Sequence, residues 1–295
     1  MDQESIIVTR ELRKVCGEIS VIDGLNLEVP RGSICGLLGR NGAGKTTLLK
    51  MFVGLTSPTS GEGRIFGLRI DRSVESIEIR QSAAFVSEDK MFPGTATVAE
   101  IIRFTRAFYP KWRSELEQQY LRTFDLSLKT PAGKLSKGAR CRLALLLAMA
   151  RGADLLLLDE PTAGLDPAIA EQSLQALVSL AGQQEITVLF ASHQIAEVEQ
   201  IADRVCMIEK GRIVLNDSLD ELKSSYRRVQ FVFEGKPPAA AFENSHEDGR
   251  TLSLLVKRNP DDVVARGRLM GAQSVDVAPV TLKDIFLEHM NGAGK

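Results

Sequence analysis

The sequence predicts an α/β fold in two domains, and three observations carry that prediction. Residues 34–38 form an apolar run that enters a glycine-rich stretch, 39–44, followed by a segment of helical composition over 45–53. Residues 155–158 and 186–190 are further apolar runs separated by a helical stretch, 168–180, an alternation that implies parallel strands joined by crossover helices. Beyond residue 215 the pattern changes to short strands and helices around a polar loop, so the chain divides into 1–215 and a smaller α/β domain over 216–295.

In chain order, short β-rich runs at 6–9, 25–29, 34–38 and 64–66 are punctuated by Gly and Pro as hairpins and short strands are. The helix from Lys45 should stop at Gly54. Over about 95–150 the reading is mostly helical. Residues 97–108 carry Val98, Ile101, Ile102 and Phe104 at helical spacing, and 114–124 resumes after the Tyr109-Pro110 break. A hairpin over 205–215 turns at Lys210-Gly211. Ser218 and Glu221 then form a capping box that opens a short helix. Strands follow at 228–233, 252–257 and 274–278, with a polar loop at 237–249 and a closing helix at 281–290.

Composition narrows the function. The chain has 295 residues, 44% apolar and 25% charged, which is ordinary globular usage and excludes collagen, coiled coil or general disorder. Its 37 basic and 38 acidic side chains leave a net charge of -1, so no overall field attracts nucleic acid or anionic lipid. The most apolar stretch, 143–158, is interrupted by Arg151, Gly152 and Asp154, and no membrane span or direct insertion is expected. The acidic start Met1-Asp2-Gln3-Glu4 lacks the basic flank of a secretory signal, which makes cytoplasmic localisation the expectation. Cys16, Cys35, Cys141 and Cys206 are too dispersed for a zinc or disulfide framework and read as reduced thiols.

Gly39-Arg40-Asn41-Gly42-Ala43-Gly44-Lys45-Thr46 fits the pattern G-x-x-x-x-G-K-[ST] between a strand and a helix. Such a loop turns backbone N–H groups toward phosphate oxygens, and the next helix presents its positive end to them. Lys45 then reaches the β and γ phosphates and the Thr46 hydroxyl ligates Mg²⁺, with Thr47 beside it. The same pentapeptide, Asn-Gly-Ala-Gly-Lys, recurs at 291–295, where no hydroxyl and no helix follow, and it reads as a frayed tail. Asp159 and Glu160 stand at the end of the apolar run 155–158, where open α/β sheets bind ligands. Alone, such a pair is most often the start of a loop. After a P-loop it reads as Asp159 in the Mg²⁺ shell and Glu160 as the group that polarises an attacking water.

Leu135-Ser136-Lys137-Gly138-Ala139 ahead of a long helix resembles the signature loop, usually Leu-Ser-Gly-Gly-Gln, of ATP-binding cassette proteins. Ala163-Gly164-Leu165-Asp166 is similar to their D-loop, and His193 after the run 186–190 is similar to their switch histidine. The resemblance spans 5–215, and 216–295 looks like the accessory domain of some bacterial antibiotic and bacitracin exporter ATPases. It implies a P-loop NTPase with a RecA-like core, an antiparallel β subdomain and a helical subdomain. It also implies ATP and Mg²⁺ as ligands, and hydrolysis involving Lys45, Glu160 and His193. A second copy of the cassette would pack so that Ser136 and Gly138 of one complete the nucleotide site of the other. The implied partner is a separately encoded integral membrane permease, with the chain peripheral on the cytoplasmic face and export the expected direction. A soluble cassette in translation or DNA maintenance is the alternative.

Three departures from the family pattern stand out. Cys16 occupies the place where an adenine-stacking aromatic is common. Glu88 replaces the Q-loop Gln as a further Mg²⁺ ligand, and Lys137 and Ala139 alter the signature. Phe92, Phe104, Phe108, Tyr109 and Trp112 read as core or as a docking surface for a partner helix.

Overall fold

A computed structural model describes residues 4–238, 242 and 244–292 and divides the chain into two units, 1–216 and 217–295. The first begins with long strands β1 (Ser5–Cys16) and β2 (Ile19–Pro30), followed by β3 (Ile34–Leu38) and α1 (Lys45–Phe52). Next come β4 (Ser60–Ile65), β5 (Leu68–Arg69), α2 (Ser73–Ser82) and β6 (Ala83–Val86). The helical region holds α3 (Val98–Arg106), α4 (Ser114–Thr123) and α5 (Lys137–Ala150). The unit finishes with β7 (Leu155–Asp159), α6 (Pro167–Gln184), β8 (Thr187–Ser192), α7 (Ile195–Ile201), β9 (Arg204–Glu209) and β10 (Arg212–Ser218).

Two sheets organise this unit. An antiparallel sheet runs β2-β1-β4-β5, and a six-stranded sheet runs β10-β9-β3-β8-β7-β6. In the latter, β9, β3, β8, β7 and β6 run parallel to one another, and every residue of β3, β7 and β8 is buried, as strands covered on both faces must be. The core joins both sheets through Leu12, Leu25, Leu37, Leu48, Phe52 and Leu157. Lys210 and Gly211, at φ 47° and 77°, make the expected β9–β10 turn, whose positive φ values match the strand twist.

Several boundaries differ from the sequence expectation for local reasons. The helix expected from residue 97 begins at Val98, because Thr97 is its cap in a reciprocal capping box with Glu100. The strands expected at 6–9 and 25–29 are each 12 residues long, paired with each other from Ser5–Pro30 to Cys16–Ile19. Helix α2 and strand β6 were not anticipated. All four cysteines are free; Cys35 and Cys206, on neighbouring strands, have their sulfurs 3.6 Å apart. The aromatic residues read as core or docking surface are placed as follows. Phe104 and Phe108 form an exposed edge-to-face pair, Tyr109 lies under the Arg151 guanidinium, and the Trp112 indole donates to Glu117.

The second unit contains α8 (Leu219–Ser225), β11 (Tyr226–Val232), β12 (His246–Asp248), β13 (Thr251–Lys257), α9 (Asp261–Leu269), β14 (Ser274–Pro279) and α10 (Leu282–Gly292). Its antiparallel sheet runs β12-β13-β11-β14 around Val229, Phe231, Phe233, Phe242 and Leu252. Only half of the expected capping box forms. The Ser218 hydroxyl accepts from the Glu221 amide, while the Ser218 amide turns to Asp217. The polar loop expected at 237–249 contains β12, and the tail motif at 291–295 lies largely outside the described residues.

Candidate nucleotide site

Strand β3 delivers the chain into the Gly39–Gly44 loop, and the loop ends at Gly44, which caps α1 with φ 107°. That conformation excludes other residues, and a Cβ there would fall 2.8 Å from the Val21 carbonyl oxygen. Asn41, Gly42, Gly44, Lys45, Thr46, Thr47, Glu88, Asp159 and Glu160 line one cavity of about 240 Å³. Gly39 and Ala43 pack behind it, against Ile208 and in the core. The volume is below the roughly 300–1,000 Å³ of a whole small-molecule site, so it suits phosphates with the base outside.

Lys45 is buried, and its ammonium donates to the Gly39 carbonyl at 2.7 Å. Burial pushes its pKa down, and Glu160, Asp159 and Glu88 pull it back up. Glu160 follows β7 with φ 48°, a strained conformation for a non-glycine residue and of the kind that gathers at functional positions. Its amide donates to Ala191 O of β8, which fixes the turn. One carboxylate oxygen lies 4.0 Å from Lys45 Nζ, and the other is 2.9 Å from His193 Nδ1. A carboxylate only accepts, so the proton in the second contact resides on Nδ1. The sequence-selected residues Lys45, Glu160 and His193 thus meet in space, although 33 positions separate Glu160 from His193.

Both Asp159 carboxylate oxygens are buried with no hydrogen-bond partner. Burial raises the Asp159 pKa and Glu88 adds to the rise; the Thr46 hydroxyl, nearby but outside bonding geometry, opposes it, as do Lys45 and Lys90. Two unsatisfied carboxylate oxygens beside a hydroxyl and a second carboxylate form a hard-oxygen donor set that fits Mg²⁺. No group of three or more His, Cys, Asp or Glu side chains suited to a metal occurs among the described residues.

Ser136 and Gly138 do not line this cavity. Ser136 caps α5 by accepting from the Ala139 amide at 3.1 Å, which leaves its hydroxyl proton free to donate. Gly138 faces Leu165 and the Gly164 carbonyl, and the Lys137 stem lies across Gly164. Cys16 is exposed at the end of β1 and does not line the cavity; Val21 does. Sequence reasoning missed Lys90, whose ammonium donates to the Glu160 carbonyl at 3.1 Å. Only proximity in the fold reveals these contacts.

The chain was compared with known proteins. Residues 22–163 match the family model described as ABC transporter. The chain is 33% identical over 297 residues to the bacitracin transport ATP-binding protein BcrA of Bacillus licheniformis, an alignment covering 96% of this chain and 95% of that protein. It is also 33% identical to the Nod factor export ATP-binding protein I of Burkholderia lata, with 94% of each chain covered. Among solved structures, cbiO1 of Clostridium perfringens, part of the ABC transporter complex cbiONQ, superposes with a TM-score of 0.64. The match is at 28% identity and covers 75% of this chain and 91% of that one.

Proposed function

This chain belongs to the ABC transporter family as an ATP-binding protein, and we propose that it hydrolyses ATP with Mg²⁺ to drive export through a separately encoded integral membrane subunit. The observation that carries the hydrolytic reading is the convergence of Lys45, Glu160 and His193 on one phosphate-sized cavity. Export is supported by the Nod factor export protein among its relatives, and that protein and the bacitracin transport protein favour transport over a role in translation or DNA maintenance. No helix among the described residues is long and apolar enough to cross a membrane, so attachment to the cytoplasmic face would run through the membrane subunit. A groove of about 930 Å³ bordered by Phe92, Ile101 and Phe104 offers an apolar seat for a helix of that subunit.

In this mechanism the P-loop amides wrap the phosphates, and Lys45 exchanges the Gly39 carbonyl for the β and γ phosphate oxygens. Thr46, Asp159 and Glu88 would hold Mg²⁺, which neutralises phosphate charge and orients the oxygens when bound. Departure of Lys45 toward phosphate frees one Glu160 oxygen to accept a proton from the attacking water. His193 holds the other oxygen and so fixes the carboxylate's direction. Ser136 and Gly138 lie outside the cavity of their own chain, and in a pair of copies they would supply hydroxyl and amide donors to the partner's γ phosphate.

Purification of the tagged chain from native membranes tests the transport reading. An integral subunit should co-purify in stoichiometric amount, and recovery of the chain free of any integral protein would contradict it.

Base selectivity should be weak, because Val21 offers only an aliphatic contact and Cys16 no ring. GTP is expected to compete with ATP within about tenfold. Cys16→Tyr should tighten ATP by roughly threefold to tenfold, or about 0.6 to 1.4 kcal/mol. Titration calorimetry with both nucleotides decides this, and a parent that prefers ATP a hundredfold would show that adenine is read by other residues.

A further inference from the structure

Glu197, in the first turn of α7, is a carboxylate with 8% of its surface exposed and no cation to pair with in the hydrogen bonds it makes. One of its oxygens accepts from the Thr162 hydroxyl and the other from the Ser192 hydroxyl at 2.9 Å. Both donors are themselves buried. The Ser192 oxygen in turn accepts from the Gln194 amide at 3.0 Å, so this hydroxyl is engaged as both donor and acceptor.

The two donors occupy telling positions. Thr162 is two residues beyond Glu160, on the turn where the Leu165 amide donates back to the Thr162 carbonyl. Ser192 is the last residue of β8 and immediately precedes His193. The Glu197 carboxylate is therefore a bracket across the ends of β7 and β8, joining the segment that presents Glu160 to the segment that presents His193. A carboxylate accepts from both hydroxyls at once, each through its own oxygen. An amide in the same pose would present an N–H to one of them and reverse the direction of that hydrogen bond.

We infer that Glu197 is a positioning residue for hydrolysis, which sets the 2.9 Å contact between His193 and Glu160 by holding Ser192 and Thr162. The inference rests on the hydrolytic reading above. It concerns the reacting geometry and not nucleotide affinity, because Glu197 does not line the phosphate cavity.

The test is steady-state hydrolysis and nucleotide binding by the full chain carrying Glu197→Gln, alone and combined with His193→Ala. Glu197→Gln should lower kcat by roughly fivefold to fiftyfold, the scale of a small misalignment of reacting groups, with the Kd for ATP within twofold of the parent. Added to His193→Ala it should cause no further loss. Thr162→Val, which removes only the hydroxyl, should reproduce part of the kcat loss, and Thr162→Ser should not. These two variants decide the matter should Glu197→Gln fold poorly. An unchanged kcat per folded molecule, a loss confined to ATP affinity, or an equal loss with and without His193 would overturn the inference. Should His193→Ala and Glu160→Gln both hydrolyse like the parent, the hydrolytic reading itself fails instead.

Discussion

Glu160→Gln is expected to lower ATP hydrolysis by roughly 10²-fold to 10⁴-fold, the usual contribution of a positioned general base, while ATP still binds. The substitution keeps the shape of the side chain and an oxygen that can accept from His193 Nδ1, so the His193 contact at 2.9 Å persists. It removes the ability to take a proton from water. It also removes a negative charge that lies 4.0 Å from Lys45, which frees Lys45 for the phosphates and should leave ATP affinity unchanged or higher. Phosphate release and nucleotide titration on the same preparation separate the two effects. A variant that hydrolyses at the parental rate would assign the base elsewhere.

The same variant should double in mass on binding ATP. Each chain of 32.3 kDa holds Lys45, Asp159 and Glu160 in one cavity and carries Ser136 and Gly138 outside it, so under the proposed reading a second copy would complete the set of phosphate donors. The γ phosphate is what the signature loop would bridge, and ADP lacks it. Light scattering on Glu160→Gln should therefore show a dimer with ATP and a monomer with ADP. A monomer under saturating ATP, with nucleotide demonstrably bound, would contradict a site shared between copies.

The parts of this protein that could be read from sequence are those whose chemistry is local. Strands β3, β7 and β8 are buried throughout and announce themselves as apolar runs, and the P-loop is a contiguous pattern. Helix α9 gave no such signal, because it packs through Gly267, where a Cβ would fall 2.0 Å from the Phe231 ring, and Gly267 is its only buried residue. Helix α2 buries only Ser76 and Ile79, too few to form a stripe. Phe104 and Phe108 have the spacing of core residues and yet remain 70% and 63% exposed, which spacing alone does not distinguish. At the site, Lys45, Asp159 and Glu160 were legible as motifs. The contacts of Glu197 with Thr162 and Ser192 and of Lys90 with the Glu160 carbonyl arise only when distant segments pack together.

The most direct test of the account is phosphate release from ATP by the purified full chain, measured with Mg²⁺, with a chelator in its place, and with Lys45→Ala. Release should depend on Mg²⁺ and fall to background in Lys45→Ala, because the fit of Asp159 and Thr46 to the ion and of Lys45 to the phosphates makes both necessary. Equal release with the chelator, or by Lys45→Ala, would contradict the assignment of this cavity as the site of hydrolysis.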